Sequence, residues 1–340
     1  MPLLALCAVL IGTGILAFFL TGLVRRYALS RLVDIPNLRS SHCEPTPRGG
    51  GLALVTAFFA GCLVTIAQGW VPANLSVPLL SGLLIAAVGF WDDHGHVPAH
   101  FRMAAHIAAA SWALLALGGF SELPLGPTSL PLGWVGAAFA LLWLVWLLNL
   151  FNFMDGIDAI AGSEVIFVAV AAAMLMFWNA GSLAGVGVCS VLLAAATLGF
   201  LIWNWPPAKI FMGDVGSGFV GYSLGLLALV DMKTNGGGLG LPVWLILNGV
   251  FLVDATYTLL WRMVTGQKWY EAHRSHAYQK AAVILGGHGV VVKYVIVINL
   301  LWLFPLAVAA KIWPSFALAA TLIALAPPLA LAIGLKAGQR

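Results

Sequence analysis

Acidic residues are scarce in this chain, and they are bunched. Twelve Asp and Glu occur in 340 residues. Five of them form three groups: Asp92 with Asp93, Asp155 with Asp158, and Asp214. Each group closes or opens a long apolar run. A carboxylate is costly in apolar surroundings, so acids clustered at one depth point to a cation site and to phosphate chemistry.

The segments around these acids carry further polar residues. The first pair lies in WDDHGHVPAHFRMAAH, residues 91–106. Adjacent side chains on a helix end diverge, so one Asp can bind a metal while the other takes a proton, a role that neighbouring like charges favour. His94, His96 and His100 match no standard zinc spacing. Arg102 and His106, four residues apart, share a helix face directed at the carboxylates. In NLFNFMDGIDAIAG, residues 149–162, Asn149, Asn152, Asp155 and Asp158 recur every three residues and would stack amides and acids along one stripe. Gly156 permits a break there. In NWPPAKIFMGDVGSG, residues 204–218, Asn204 leads and Pro206-Pro207 stop a helix. Asp214 then stands between Gly213 and Gly216, with Ser217 following, where a new helix begins. Glycines there let backbone approach a phosphate, and the helix dipole adds positive potential. Asp214 reads as a metal ligand and Lys209 as a snorkelling side chain.

Two more segments are basic. EAHRSHAYQ, residues 271–279, sets His273, Arg274 and His276 within one turn, an anion receptor suited to a diphosphate. DIPNLRSSHCEPTPRGGG, residues 34–51, is held extended by Pro45 and Pro47. Arg48 lies beside backbone N–H groups freed by the glycines just before a helix, and can hold an anion. Asp254 stands alone in an apolar run, either a functional acid or the partner of a neighbouring helix. No P-loop, HExxH or EF-hand pattern is present.

The elements that must position these residues follow from composition. The chain is 61% hydrophobic and 8% charged, against about 25% charged in soluble domains. Runs of about 20 apolar residues read as membrane-spanning helices. They lack the alternation of membrane strands. Eleven helices are expected, at about 3–24, 50–69, 78–91, 102–119, 133–151, 163–180, 183–203, 215–230, 242–262, 290–310 and 314–335. The first is followed by Arg25 and Arg26 rather than preceded by positive charge, which fits a retained helix with its N-terminus outside. On that orientation 14 of the 16 Lys and Arg fall inside. They include Arg31, Arg39, Arg48, Arg262, Lys268, Lys280, Lys293, Lys336 and Arg340; Lys233 and Lys311 remain outside. The outer turns are short and rich in Pro and Gly, such as Gly236-Gly237-Gly238. The expected architecture is an all-α polytopic membrane bundle, a single domain over 1–340, with its C-terminus and its functional residues at the cytoplasmic face. The net charge of +4 is dispersed and implies no nucleic-acid partner. Four cysteines, Cys43 among them, have no ligand spacing, and His42 and His288 are isolated loop residues.

Taken together, these segments resemble the polyprenyl-phosphate N-acetylhexosamine-1-phosphate transferases, the glycosyltransferase family that includes the phospho-N-acetylmuramoyl-pentapeptide translocase and the enzymes that start O-antigen assembly. The resemblance runs in order from about residue 34 to 280 and rests on PTPRGGG, the DD pair, the NxxNxxDGxD stripe and PPAxIFMGDxGS. It implies a bundle of ten or eleven helices in the bacterial inner membrane. It also implies transfer of a sugar 1-phosphate from a UDP-N-acetylhexosamine to undecaprenyl phosphate, with UMP released and Mg2+, or Mn2+ in its place, as cofactor. By motif position Asp214 is the metal ligand, joined by Asn152 and Asp155, and Asp92 and Asp93 are the pair from which the base is drawn. Arg48, Asn149, Asn152, Asp155, Asp158, Asn204, His273, Arg274 and His276 fall on the substrate side. Pairing of two copies as a homodimer is open. The translocase has three consecutive histidines where this chain has HRSH, which favours the O-antigen branch. The family often has Gln where His106 stands and a second Gly where Ala159 stands. A secondary transporter or a scaffold are the readings from other classes. The first is disfavoured by polar residues at one interface rather than the midplane; the second leaves the clustered acids unexplained.

Overall fold

The computed structural model describes residues 2–36, 44–181, 183–234, 238–268, 271 and 273–339. Arg39, His42, Cys43, Gly236, Gly237 and Arg340 lie outside them. Fourteen α-helices dominate the described residues: α1 (Leu3–Arg31), α2 (Gly51–Ala67), α3 (Ser76–His94), α4 (Ala99–Ala116), α5 (Val135–Met154), α6 (Ile160–Ala180), α7 (Val186–Asn204), α8 (Asp214–Met232), α9 (Gly240–Leu247), α10 (Gly249–Val264), α11 (Ala277–Ile284), α12 (His288–Ile298), α13 (Phe304–Ile312) and α14 (Ala317–Gly334). Two short antiparallel ladders complete the structure. β1 (Val33–Asp34) pairs with β2 (Thr46–Pro47), and β3 (Glu122–Pro124) with β4 (Ser129–Pro131). Of the segment expected to be extended, Thr46–Pro47 forms one edge of the first ladder.

Each of the eleven apolar segments contains a helix, but two are broken. Among the described residues eight helices are long and apolar enough to cross a membrane, nine if α9 and α10 count as one broken span. Those two meet at 79°, where a continuous helix over 242–262 was expected. The break falls at Asn248-Gly249, a turn-forming dipeptide. Asn248 turns its amide back to the Trp244 carbonyl (2.9 Å), and Gly249 abuts Leu303 and Leu325. The expected helix over 290–310 contains a π-helical stretch, Asn299–Leu303, between α12 and α13. Pro305 cannot donate the backbone bond that an α-helix needs there. The chain also forms α11 inside what reads as a loop.

Helix α8 is the hub. It packs against α2, α3, α5, α6 and α7, and 94% of its membrane-length window is buried. Small residues allow the closeness. A methyl on Gly51 would overlap the Gly216 backbone, and one on Gly89 the Asp214 backbone. These contacts draw the start of α2 and the end of α3 onto the N-terminus of α8.

Candidate active site

The ends of α3, α5 and α8 meet, and the carboxylates meet with them. Asp92 and Asp93 sit on the last turn of α3 and diverge, as adjacent residues on a helix must. The Asp93 side chain is 2% exposed and accepts hydrogen bonds from the Asp214 and Val215 backbone N–H groups at 3.1 and 3.2 Å. It caps α8 from another helix. The helix N-terminus that the sequence offers to a phosphate is thus filled by the protein's own carboxylate. Gly213, at φ 74°, lies against that carboxylate.

Arg48 supports the same cap. Its Nη2 donates to the Asp93 carbonyl at 2.9 Å, and its Nε stands 3.8 Å from Asp93 Oδ1. The Gly50 and Gly51 N–H groups donate to the carbonyls of Phe211 and Met212. Those donors are engaged in docking the loop, where an open anion site was expected.

Asp92 faces the other way. Its Oδ1 accepts from the Val97 N–H at 2.7 Å, and its Oδ2 from Arg102 Nη1. The same Nη1 lies 3.3 Å from Asp214 Oδ2. Arg102 therefore bridges the two carboxylates, and the face it shares with His106 points at the acids. Asn152 donates to Asp214 Oδ1 at 2.8 Å and to Ser217 Oγ at 3.0 Å. Asp214 is the most open of the three acids, its side chain 35% exposed against 8% for Asp92.

A cavity of about 370 Å³ opens beside Asp214. Asn149, Asn152, Arg102, His106, His273 and His276 line it, with Glu271, which the sequence reading passed over. Asn149 donates to the Val145 carbonyl one turn back. His106 contributes a buried Nδ1 without a hydrogen-bond partner among the described residues.

The stripe of three-residue spacing ends early. Helix α5 stops at Met154 and Asp155 is its C-cap. Asp155 remains near Asp214 and Asp93, and burial, together with the charges of Asp214, Asp93 and Asp158, pushes its carboxyl well above the usual range. Beyond the helix end Asp158 no longer stacks with the others. Its Oδ2 accepts from the Ala208 N–H at 3.0 Å and its Oδ1 lies 3.3 Å from His288 Nδ1. Asn204 is buried and ties two segments, accepting from the Ala159 N–H and donating to the Ile210 carbonyl. Neither lines the cavity, and nor do Arg48, Asp92, Asp93 or Asp155. Arg274 is exposed and outside it as well. Lys209 lies over the Trp203 ring, 5.7 Å from its centroid, as a snorkelling residue would.

The donor set suits a hard divalent cation. Asp93 pairs with Arg48, Asp92 and Asp214 share Arg102, and Asp155 lies near Asp214 and Asp93. The Asn152 side-chain oxygen, Oδ1, makes no bond among the described residues, and the Asp155 carboxylate accepts none. Among the described residues no three acidic, His or Cys side chains form a closed cage. Mg2+ does not need one, since it uses one or two carboxylates and completes its shell with water and substrate phosphate.

Comparison with known proteins identifies the relatives of this chain. Residues 75–231 match the model for glycosyl transferase family 4. The chain is 28% identical over 304 residues to a probable undecaprenyl-phosphate N-acetylglucosaminyl 1-phosphate transferase of Bacillus subtilis, covering 87% of this chain and 83% of that protein. It is 31% identical over 293 residues to a decaprenyl-phosphate N-acetylglucosaminephosphotransferase of Mycolicibacterium smegmatis, covering 76% and 70%. A phospho-N-acetylmuramoyl-pentapeptide-transferase of Methylacidiphilum infernorum is 28% identical over 251 residues, covering 63% and 65%. The chain belongs to glycosyl transferase family 4. It is a polytopic membrane enzyme, a phospho-sugar transferase.

Proposed function

We propose that this enzyme transfers an N-acetylhexosamine 1-phosphate from its UDP-linked form to undecaprenyl phosphate, as the first step of O-antigen or similar surface-glycan assembly. One observation carries the reading: the accessible Asp214, bound to Asn152 and Arg102 at the junction of three helix ends, opens onto a cavity walled by His276. A phosphate oxygen of the acceptor attacks the β-phosphorus of the donor. The bond from that phosphorus to the bridging oxygen breaks, and UMP leaves. The protein's task is positioning and neutralising charge.

Asp214, Asn152 and Asp155 would hold Mg2+, which when bound offsets phosphate charge and polarises the P–O bonds. Arg102 brings positive charge to the cavity wall, and His276 faces the donor. Asp93 holds α8 in place, so Asp92 is the better placed of the pair to take a proton from the acceptor. Direct attack is favoured over an aspartyl-phosphate intermediate, which labelled UDP-sugar without lipid would trap. The positive-inside distribution supports a site at the cytoplasmic face of the bacterial inner membrane. There a soluble nucleotide-sugar can meet a phosphate at the headgroup plane.

The test is UMP release by purified enzyme from a panel of UDP-sugars with undecaprenyl phosphate, beginning with UDP-N-acetylglucosamine. Asp214→Ala is expected to abolish turnover. Undiminished release by that variant would end the role given to Asp214. Preference for UDP-N-acetylmuramoyl-pentapeptide would move the enzyme to the peptidoglycan branch, where the HRSH loop is least at home.

A further inference from the structure

Asp254 lies on α10, deep among apolar residues and 5% exposed. Its carboxylate collects four donors. Oδ1 accepts from the Ala277 N–H at 2.9 Å and Thr258 Oγ1 at 3.1 Å, and lies 3.2 Å from His276 Nδ1. Oδ2 accepts from the Tyr278 N–H at 2.9 Å. Three of these donors belong to one short stretch, His276 to Tyr278, which is the start of α11.

The imidazole of His276 is fixed on every side but one. Its ring is stacked between His273 (centroids 5.0 Å apart) and Tyr278 (5.6 Å). The Gln279 side chain accepts from the His276 N–H. Tyr278 anchors the stretch by donating to the Phe153 carbonyl at 3.0 Å, over Gly156, where a methyl would overlap the hydroxyl. Nδ1 faces Asp254. The ring lines the cavity beside Asp214.

We propose that Asp254 is the positioning residue of this site. It holds the Nδ1–H of His276 on its carboxylate, so that Nε2 is presented to the nucleotide-sugar in the cavity. A carboxylate acceptor requires Nδ1 to carry the proton. The other neutral tautomer would set a bare Nδ1 against a carboxylate oxygen, two lone pairs face to face, and a flipped ring would offer the carboxylate only the Cδ2–H. Asp254 thus determines which edge of the imidazole the substrate meets, although it never touches the substrate itself. Partners that orient metal-bound histidines are typically worth a factor of about 10–100, which sets the scale of the effect expected here.

This inference rests on the transferase reading above, and a double-mutant cycle tests it separately. Wild type, Asp254→Asn, His276→Ala and the double variant are assayed for UMP release with UDP-N-acetylglucosamine as the varied substrate. Asp254→Asn should raise the donor KM about tenfold or more, with a smaller fall in kcat and an unchanged KM for undecaprenyl phosphate. In the His276→Ala background the same change should have almost no further effect. Additive losses would overturn the proposal, because they would mean that Asp254 supports the fold without acting through His276. A wild-type enzyme without turnover would count against the transferase reading instead. A second measurement needs neither turnover nor a stable Asp254 variant. The 15N resonances of His276, assigned by their loss in His276→Ala, should show a protonated Nδ1; a bare Nδ1 with protonated Nε2 overturns the assignment.

Discussion

Two helices in this molecule begin under a carboxylate lent by another helix. Asp93 of α3 caps α8 through the Asp214 and Val215 N–H groups, and Asp254 of α10 caps α11 through those of Ala277 and Tyr278. In each case a residue of the proposed site stands at the capped terminus: Asp214 in one, His276 in the other. The settings differ. Asp93 joins two long helices that already touch backbone to backbone through Gly89, with Arg48 closing the network. Asp254 joins a long helix to one of eight residues in a connecting segment. An acid that ties the bundle together should be felt in stability first. An acid that pins a short helix over a cavity should be felt in substrate binding first.

The largest effect is therefore expected at Asp93. Asp93→Asn places an amide NH2 or a single carbonyl against two backbone N–H groups and leaves Arg48 without its charge partner. Breaking a buried charged network of this kind costs about 3–5 kcal/mol. Thermal unfolding in detergent should show a large drop for Asp93→Asn and a small one for Asp92→Asn, with kcat lost in Asp92→Asn while the fold survives. Equal stability losses would erase the division of labour between the pair. Asp254→Asn should lie between them in stability, at about 1–3 kcal/mol, since it orphans one helix-terminal donor.

These assignments show what could be read from residue order. The acids were legible because they are expensive in an apolar chain, and Asp92, Asp214 and Asn152 do converge. The direction of each side chain was not. Asp92 and Asp93 are neighbours in sequence, but Gly89 and Gly213 decide which of them reaches the α8 backbone, and that close approach has no periodicity. Asp158 and Asn204 have the same residue types as true cavity residues, yet both are spent on joining segments, because α5 ends at Met154. His276, the site partner of Asp254, lies 22 residues away across a connecting segment, beyond any helical spacing. The break at Asn248-Gly249 was legible as a dipeptide and was overridden by a long apolar run.

Beside each cap sits one group whose titration opposes the other's, and pH can separate them. The Asp155 carboxyl is raised, so the folded chain holds a proton that the unfolded chain releases. Its contribution to stability is full below the ordinary carboxylate range and is lost as pH rises through the folded value. The His273 ring is held neutral down to about 3 by burial and by the neighbouring His276 and Arg262. Its contribution is present above the ordinary histidine value, about 6.5, and is lost as pH falls from there towards 3. In buffer with chelator, Asp155→Asn should unfold at a higher temperature than wild type at pH 8, by a margin that shrinks on acidification. His273→Gln should flatten the loss of stability between about pH 6.5 and 4. Parallel pH curves for all three proteins would remove both groups from the account.

The smallest effect is expected between the two caps, at Ala159. This residue is the N-cap of α6 and stands at φ 64°, a region that costs a side chain about 1–2 kcal/mol. Its N–H is held by Asn204, which also grips the Ile210 carbonyl on the strand of chain leading to Asp214. The strain is thus imposed by the connection that carries α8 to its place. Glycine relieves it but adds about 0.5–1 kcal/mol of chain entropy on folding and gives up a buried methyl. Ala159→Gly should consequently raise stability by no more than about 1 kcal/mol, with UMP release unchanged. A clear loss of stability would mean that the methyl's packing outweighs the backbone strain, and that the elbow between α5 and α6 is held by its core contacts rather than by Asn204.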